Sequence, residues 1–98
     1  MLERNFQAKL IKEIKEKFPG CVVLKNDTNY IQGFPDLTVL YGKNWAVLES
    51  KRDEDASHRP NQDYYIRLCD GMSFGRFINP DNKEDILNEL QQALEFVR

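Results

Sequence analysis

The stretch spanning residues 33–51, GFPDLTVLYGKNWAVLESK, restricts the folds open to this chain more than any other. Two apolar, β-rich runs, at 37–41 and 45–48, flank Gly42, Lys43 and Asn44. Short runs of this kind split by a glycine turn read as a β-hairpin. A two-residue Gly42-Lys43 loop suits a type II′ turn and pairs Tyr41 with Asn44. Carried along the ladder, that register sets Asp36 opposite Glu49. A slip of one residue would send Asp36 to the other face, and a bulge near Pro35 would bring it back. Residues two apart share a face, so Trp45, Val47, Glu49 and Lys51 line up. An apolar face that turns charged at its end marks a strand leaving the core and reaching a site.

Two carboxylates and an ammonium then converge at one edge of the sheet. Asp and Glu oxygens suit Mg²⁺ or Mn²⁺, which bind through one or two carboxylates and keep several waters. Such an ion polarises a phosphoryl oxygen and lowers the pKa of a bound water. Lys51 is placed to position or deprotonate that water, or to steady developing charge. The set is suited to phosphodiester hydrolysis. The bland alternative is an exposed Glu49–Lys51 ion pair and an Asp36 that merely opens a turn.

Pro35-Asp36, twelve intervening residues and Glu49-Ser50-Lys51 resemble the PD-(D/E)xK nuclease motif. The flanking Gly33-Phe34-Pro35-Asp36-Leu37 and the downstream Pro60-Asn61-Gln62 are similar to the small VRR-NUC branch, whose core archaeal-type Holliday junction resolvases share. The resemblance covers residues 1–79. It implies a restriction-endonuclease-like αβββαβ core. It also implies that Asp36 and Glu49 hold Mg²⁺ (Mn²⁺ substituting), with the Ser50 backbone carbonyl as third protein ligand. Lys51 would handle the attacking water. An acidic residue starting the first helix completes the acidic cluster in this family, and Glu3 fits that position better than Glu13, which lies too far along. Gln62 matches the glutamine that supports the active site. The implied substrate is branched or flapped DNA, and cutting both strands of a junction symmetrically calls for a homodimer.

The rest of the chain supplies elements in a matching order. Phe6, Leu10, Ile14 and Phe18, with Ile11 beside them, make an amphipathic helix over 3–18, stopped by Pro19-Gly20. Residues 21–25 read as a short buried-type strand and 26–32 as a polar loop bordering the site. In that loop region Lys25, Asn29, Tyr30 and Gln32 are candidates to touch a phosphate backbone or stack a base. Residues 51–59 are a charged loop carrying the sole histidine, His58, either a surface residue or a general acid. Pro60 opens a helix to about residue 70 with Gly71 as its cap. Tyr65, Ile66 and Cys69 face the sheet, with Leu68 nearby. A strand over 73–79 follows, its Gly75 marking a bulge or a close approach. Asp81 and Glu84 read as a capping box for a last helix over 82–97, carrying Ile86, Leu87, Leu90, Ala93, Leu94 and Val97. This extra C-terminal helix is core or interface, and one guess for the dimer surface.

The fold class expected is therefore α/β, a mixed central sheet flanked by helices, as a single domain over 1–98. With 98 residues there is room for one core and not two. Two cysteines, Cys21 and Cys69, are no disulfide framework and read as reduced thiols. No apolar run reaches the ~20 residues of a membrane span, and no h-region follows Met1. A cytoplasmic protein, of a bacterial or phage-infected cell, is the expectation, without a membrane or nucleotide cofactor, since no phosphate-cradling glycine motif is present. The net charge of −2 is the objection to DNA, because DNA binding draws on Lys and Arg. It keeps open a catalytically inactive nucleic-acid-binding or protein-interaction module of the same fold.

Overall fold

The four-residue spacing of Phe6, Leu10, Ile14 and Phe18 winds into α1 (Glu3–Lys17) and its C-cap, and all four side chains are buried. The computed structural model describes residues 2–96. After α1 come β1 (Val22–Lys25), β2 (Leu37–Tyr41), β3 (Asn44–Ser50), α2 (Pro60–Met72), β4 (Gly75–Ile78) and α3 (Lys83–Glu95). The sheet runs β1-β2-β3-β4, antiparallel except for the parallel pair β3 and β4. This is a mixed α/β architecture with the restriction-endonuclease-like core.

The hairpin takes the register its turn dictates. Tyr41 lies opposite Asn44 and Leu37 opposite Leu48. Gly42 has φ +61° and Lys43 has no positive φ, as a type II′ turn requires. Alternation then sorts the strands. Leu37, Val39, Ala46 and Leu48 face the core that α1 and α3 cover with Leu10, Ile14, Leu87 and Leu90. Burying each such leucine stabilises the fold by roughly 1.5–3 kcal/mol. Val47 points the other way, toward α2, whose Ile66 and Cys69 are buried. Gly75 permits this: a Cβ there would stand 2.7 Å from the Ile66 carbonyl oxygen, so close approach is the reason for the glycine, not a bulge.

Several local readings are corrected. β1 is not a buried-type strand but an exposed edge, with Val22 and Leu24 about half exposed. It pairs only with β2, and α2 covers β3 and β4 instead. Gly71 is no cap: α2 continues to Met72 and ends on Ser73. Leu68 turns to solvent with Tyr64 and Met72, one turn apart along α2. Asp81 does not cap α3, whose N-cap is Asn82. Asn79 does the local work, its Oδ1 accepting the N–H groups of Asp81 and Asn82. The apolar side chains Ile86, Leu87, Leu90 and Leu94 pack in the molecule's own core. Val97 lies outside the described residues.

Among the described residues an apolar surface is left uncovered on the sheet. Val22 pairs with Leu40, and Leu40 with Trp45. Trp45 shares a hollow with Met72. The patch thus runs from the outer face of β1 and β2 to α2.

Candidate metal centre and cleft

β2 begins where antiparallel β3 ends, so Asp36 comes to lie beside residues 49–51. The N-terminal turns of α1 and α2 reach the same edge of the sheet and bring Glu3 and Gln62. Asp36 Oδ2 accepts both the N–H of Ser50, at 3.2 Å, and its Oγ–H, at 2.9 Å. Gln7 Nε2 in turn donates to Ser50 Oγ at 3.1 Å. This clasp ties Asp36 to the end of β3.

Carboxylate oxygens of Glu3, Asp36 and Glu49 lie within 4.8 Å of one another. Glu3 is exposed, Asp36 half-buried and Glu49 only 3% exposed. Burial above all, and then the neighbouring Asp36 carboxylate, push the Glu49 carboxyl up to about 8; the Lys51 ammonium pulls it down. Glu49 Oε2 accepts from Gln62 Nε2 at 3.2 Å. Its Oε1 is buried and meets no hydrogen-bond donor among the described residues. A buried carboxylate oxygen without a donor is costly unless a proton or a cation meets it. The donor set, three carboxylates with one orphaned oxygen, fits a hard divalent cation.

Lys51 is 8% exposed. Its Nζ donates to Gln62 Oε1 at 2.8 Å and to the Ser57 carbonyl at 3.2 Å, and stands 3.9 Å from Glu49 Oε2. Gln62 Oε1 also accepts the Arg59 N–H at 3.0 Å. The carboxamide can face only one way, because turning it over would set its NH₂ against two donors.

A cleft of about 460 Å³ opens over this group. Loop 26–36 lines it with Thr28, Asn29, Gln32, Gly33 and Phe34, and loop 51–59 with Ser57 and Arg59. A larger hollow, about 670 Å³, lies by the hairpin turn, among Tyr41, Lys43, Trp45 and Leu94. The acidic cluster is not among its walls, and volume there goes without chemistry.

All five sequence candidates for the chemistry, Asp36, Glu49, Lys51, Glu3 and Gln62, meet in this cleft, and Ser50 is tied to it. Glu13 does not: Lys83 holds it at 2.9 Å, away from the cluster. His58 stays outside the lining, bonded through Nδ1 to Asp63 at 3.1 Å and stacked on Phe77. Of the loop candidates, Asn29 and Gln32 line the cleft, whereas Lys25 and Tyr30 do not. The sequence reading missed Gln7 and Ser57. Gln7 had a signal, since it sits four residues after Glu3 on the same helix face. Ser57 acts through its carbonyl, which no side-chain pattern announces.

No protein-family model matches this sequence, and no curated protein matches it at a significant level. A solved structure does: a VRR_NUC domain protein, 14% identical, superposes with a TM-score of 0.72 over 99% of this chain and 93% of its own. This chain therefore has a VRR-NUC-like fold, the architecture that the PD…ESK hairpin implies.

Proposed function

We propose that the protein is a Mg²⁺-dependent endodeoxyribonuclease, served also by Mn²⁺, that hydrolyses phosphodiester bonds in branched or junction DNA. The observation that supports this reading is the convergence of Glu3, Asp36 and Glu49 oxygens within 4.8 Å, beside a buried lysine. Asp36, Glu49 and the Ser50 carbonyl would hold the ion, with Glu3 completing the cluster. When bound, the ion supplies Lewis acidity at a phosphoryl oxygen and a more acidic water.

The chain's own residues do the positioning. The Lys51 ammonium has three donors. Two are taken by Gln62 and Ser57, which leaves one for the attacking water or a phosphoryl oxygen. Gln62 holds Glu49 and Lys51 in one frame and keeps the ammonium directed at the cleft. Arg59, on the cleft wall, meets the phosphate backbone and locally offsets the net charge of −2.

The reading calls for two copies, because paired cuts across a junction need two sites. A second copy is thus the occupant we assign to the apolar face around Leu24, Leu40 and Met72, all exposed. Sedimentation should give a dimer for the wild type and a monomer for Leu40→Glu. A wild-type monomer at all concentrations would remove the dimer from the proposal.

The nuclease reading is tested with labelled four-way junction, flap, single-stranded and duplex DNA in Mg²⁺ or Mn²⁺. Wild type is set beside Lys51→Ala and Asp36→Asn. Cleavage that both variants lose while staying folded supports it. Absent cleavage, or equal cleavage by all three proteins, sinks it in favour of a binding module.

A further inference from the structure

Loop 26–36 is tied down along its length. At its base Asn26 N–H donates to the Asp36 carbonyl at 2.7 Å, and Asn26 Nδ2 to the Pro35 carbonyl and Thr38 Oγ1, both at 2.8 Å. At its tip Asp27 accepts the Asn29 N–H through Oδ1 at 2.8 Å and the Tyr30 N–H through its carbonyl at 3.2 Å. On the return Gly33 presses on Asn61 and the Phe34 ring rests on Tyr65, with centroids 5.5 Å apart. The one large side chain left over is Tyr30. It is 85% exposed, the most exposed large apolar residue described, and among the described residues its side chain makes no hydrogen bond or ring contact. It directly follows Asn29, which lines the acidic cleft.

A tied loop that carries a bare aromatic ring one residue beyond the wall of the acidic cleft, outside its lining, suits one class of ligand. A nucleobase offers a π-face of matching size and polarity, and stacking does not need a particular base. Bases inside a duplex already stack on neighbours, so only an unpaired base is free to take this place. We infer that Tyr30 is a stacking subsite for an unpaired nucleobase next to the phosphate held at Lys51 and Arg59. The inference rests on the nuclease reading for the position of the phosphate. It deepens that reading by naming what selects the substrate: DNA with an unpaired base beside the bond to be cut, as at a flap or an open branch.

The test is equilibrium binding rather than cleavage. Fluorescence anisotropy is recorded in the Asp36→Asn background on a fluorescein-labelled flap and on a fully paired duplex of equal length. Tyr30→Ala and Tyr30→Phe are compared, each checked for an unchanged melting temperature. Loss of one stacked base weakens flap binding about 5- to 150-fold. Tyr30→Phe keeps the ring and should bind as the parent does, and duplex binding should move for neither. A 2-aminopurine at the unpaired position should lose fluorescence with the parent and keep it with Tyr30→Ala. Equal weakening on flap and duplex, no weakening on either, or no binding of DNA at all overturns the inference. The two failures separate: Mg²⁺-dependent cleavage that ignores Tyr30 sinks the subsite alone. Ring-dependent flap binding by a wild-type protein that cleaves nothing sinks the nuclease reading alone.

Discussion

Lys51 and Gln62 are joined end to end beneath the cleft, the ammonium donating to the carboxamide oxygen at 2.8 Å. The other end of the same carboxamide donates to Glu49. One neutral side chain thereby spaces the buried Glu49 carboxyl from a buried ammonium, with 3.9 Å between Oε2 and Nζ. A contact closer than this would spend the lysine on the glutamate and leave less of it for a substrate.

Gln62→Ala should therefore cost activity more than stability. Partners that orient a metal-ligating carboxylate are typically worth about 10–100-fold in metal affinity or activity. The expected result is a fall of that size in cleavage rate, with Gln62→Glu no better, because a carboxylate cannot donate to Glu49. Single-turnover cleavage measured at saturating Mg²⁺ for both variants checks this.

Glu49 makes the metal-free protein sensitive to pH. Its carboxyl is held at about 8, against an ordinary value of 4.5, chiefly by burial and next by Asp36. The folded state thus keeps a proton that the unfolded state gives up between those values. Stability must fall as pH rises across that window. Denaturant titrations from pH 5 to 8.5 should show the decline, by a few kcal/mol at most. Glu49→Gln should flatten it. Mg²⁺ should offset it at the alkaline end, since the ion favours the ionised form, and calorimetry should detect proton release on binding near neutral pH.

Ser50 presents a separable contribution. Its hydroxyl donates to Asp36 and accepts from Gln7, while its N–H also reaches Asp36. Ser50→Ala removes the first two bonds and keeps the third. The expected loss is about 1–2 kcal/mol in denaturant unfolding, with the fold retained and Mg²⁺ binding weakened through a looser Asp36. Isothermal titration on the folded variant measures the second effect.

Gly33 is fixed by geometry at two levels. Its φ is +83°, and a Cβ there would meet Asn61 Cβ at 2.2 Å, backbone to α2 included. Gly33→Ala combines left-handed strain of roughly 1–2 kcal/mol with a clash that the helix can relieve only by moving away. A loss above about 2 kcal/mol is expected, with cleavage impaired because Asn61 and Gln62 share a turn. Gly42→Ala meets open space and carries the φ penalty alone, so its smaller loss in a thermal melt is the control.

Much of the layout was legible before any coordinates. The helical spacing of Phe6, Leu10, Ile14 and Phe18, the glycine turn at Gly42 and the proline at Pro60 are local signals, and each produced its element. The hairpin register was legible too, since a two-residue loop leaves one pairing, and that pairing runs to Leu37 opposite Leu48. The burial of β1 was not legible. Val22, Val23 and Leu24 are equally apolar, and only sheet order makes the strand an edge. Helix ends were not legible either: Gly71 and Asp81 are good capping residues in isolation, but α2 runs on to Met72 and the N-cap of α3 is Asn82.

By itself the sequence determined the elements and the acidic hairpin, because short-range periodicity and turn chemistry act within a few residues. Tertiary structure alone decided what surrounds that hairpin. It brought Gln7 and Ser57 to it, Gln7 across 43 positions of chain. It also set Glu3 in the acidic cluster, as the resemblance implies, by docking the start of α1 at the sheet edge, and paired Glu13 with Lys83 instead. Such contacts depend on how helices seat on a sheet, and that is settled by burial summed over the whole core rather than by any one stretch of sequence.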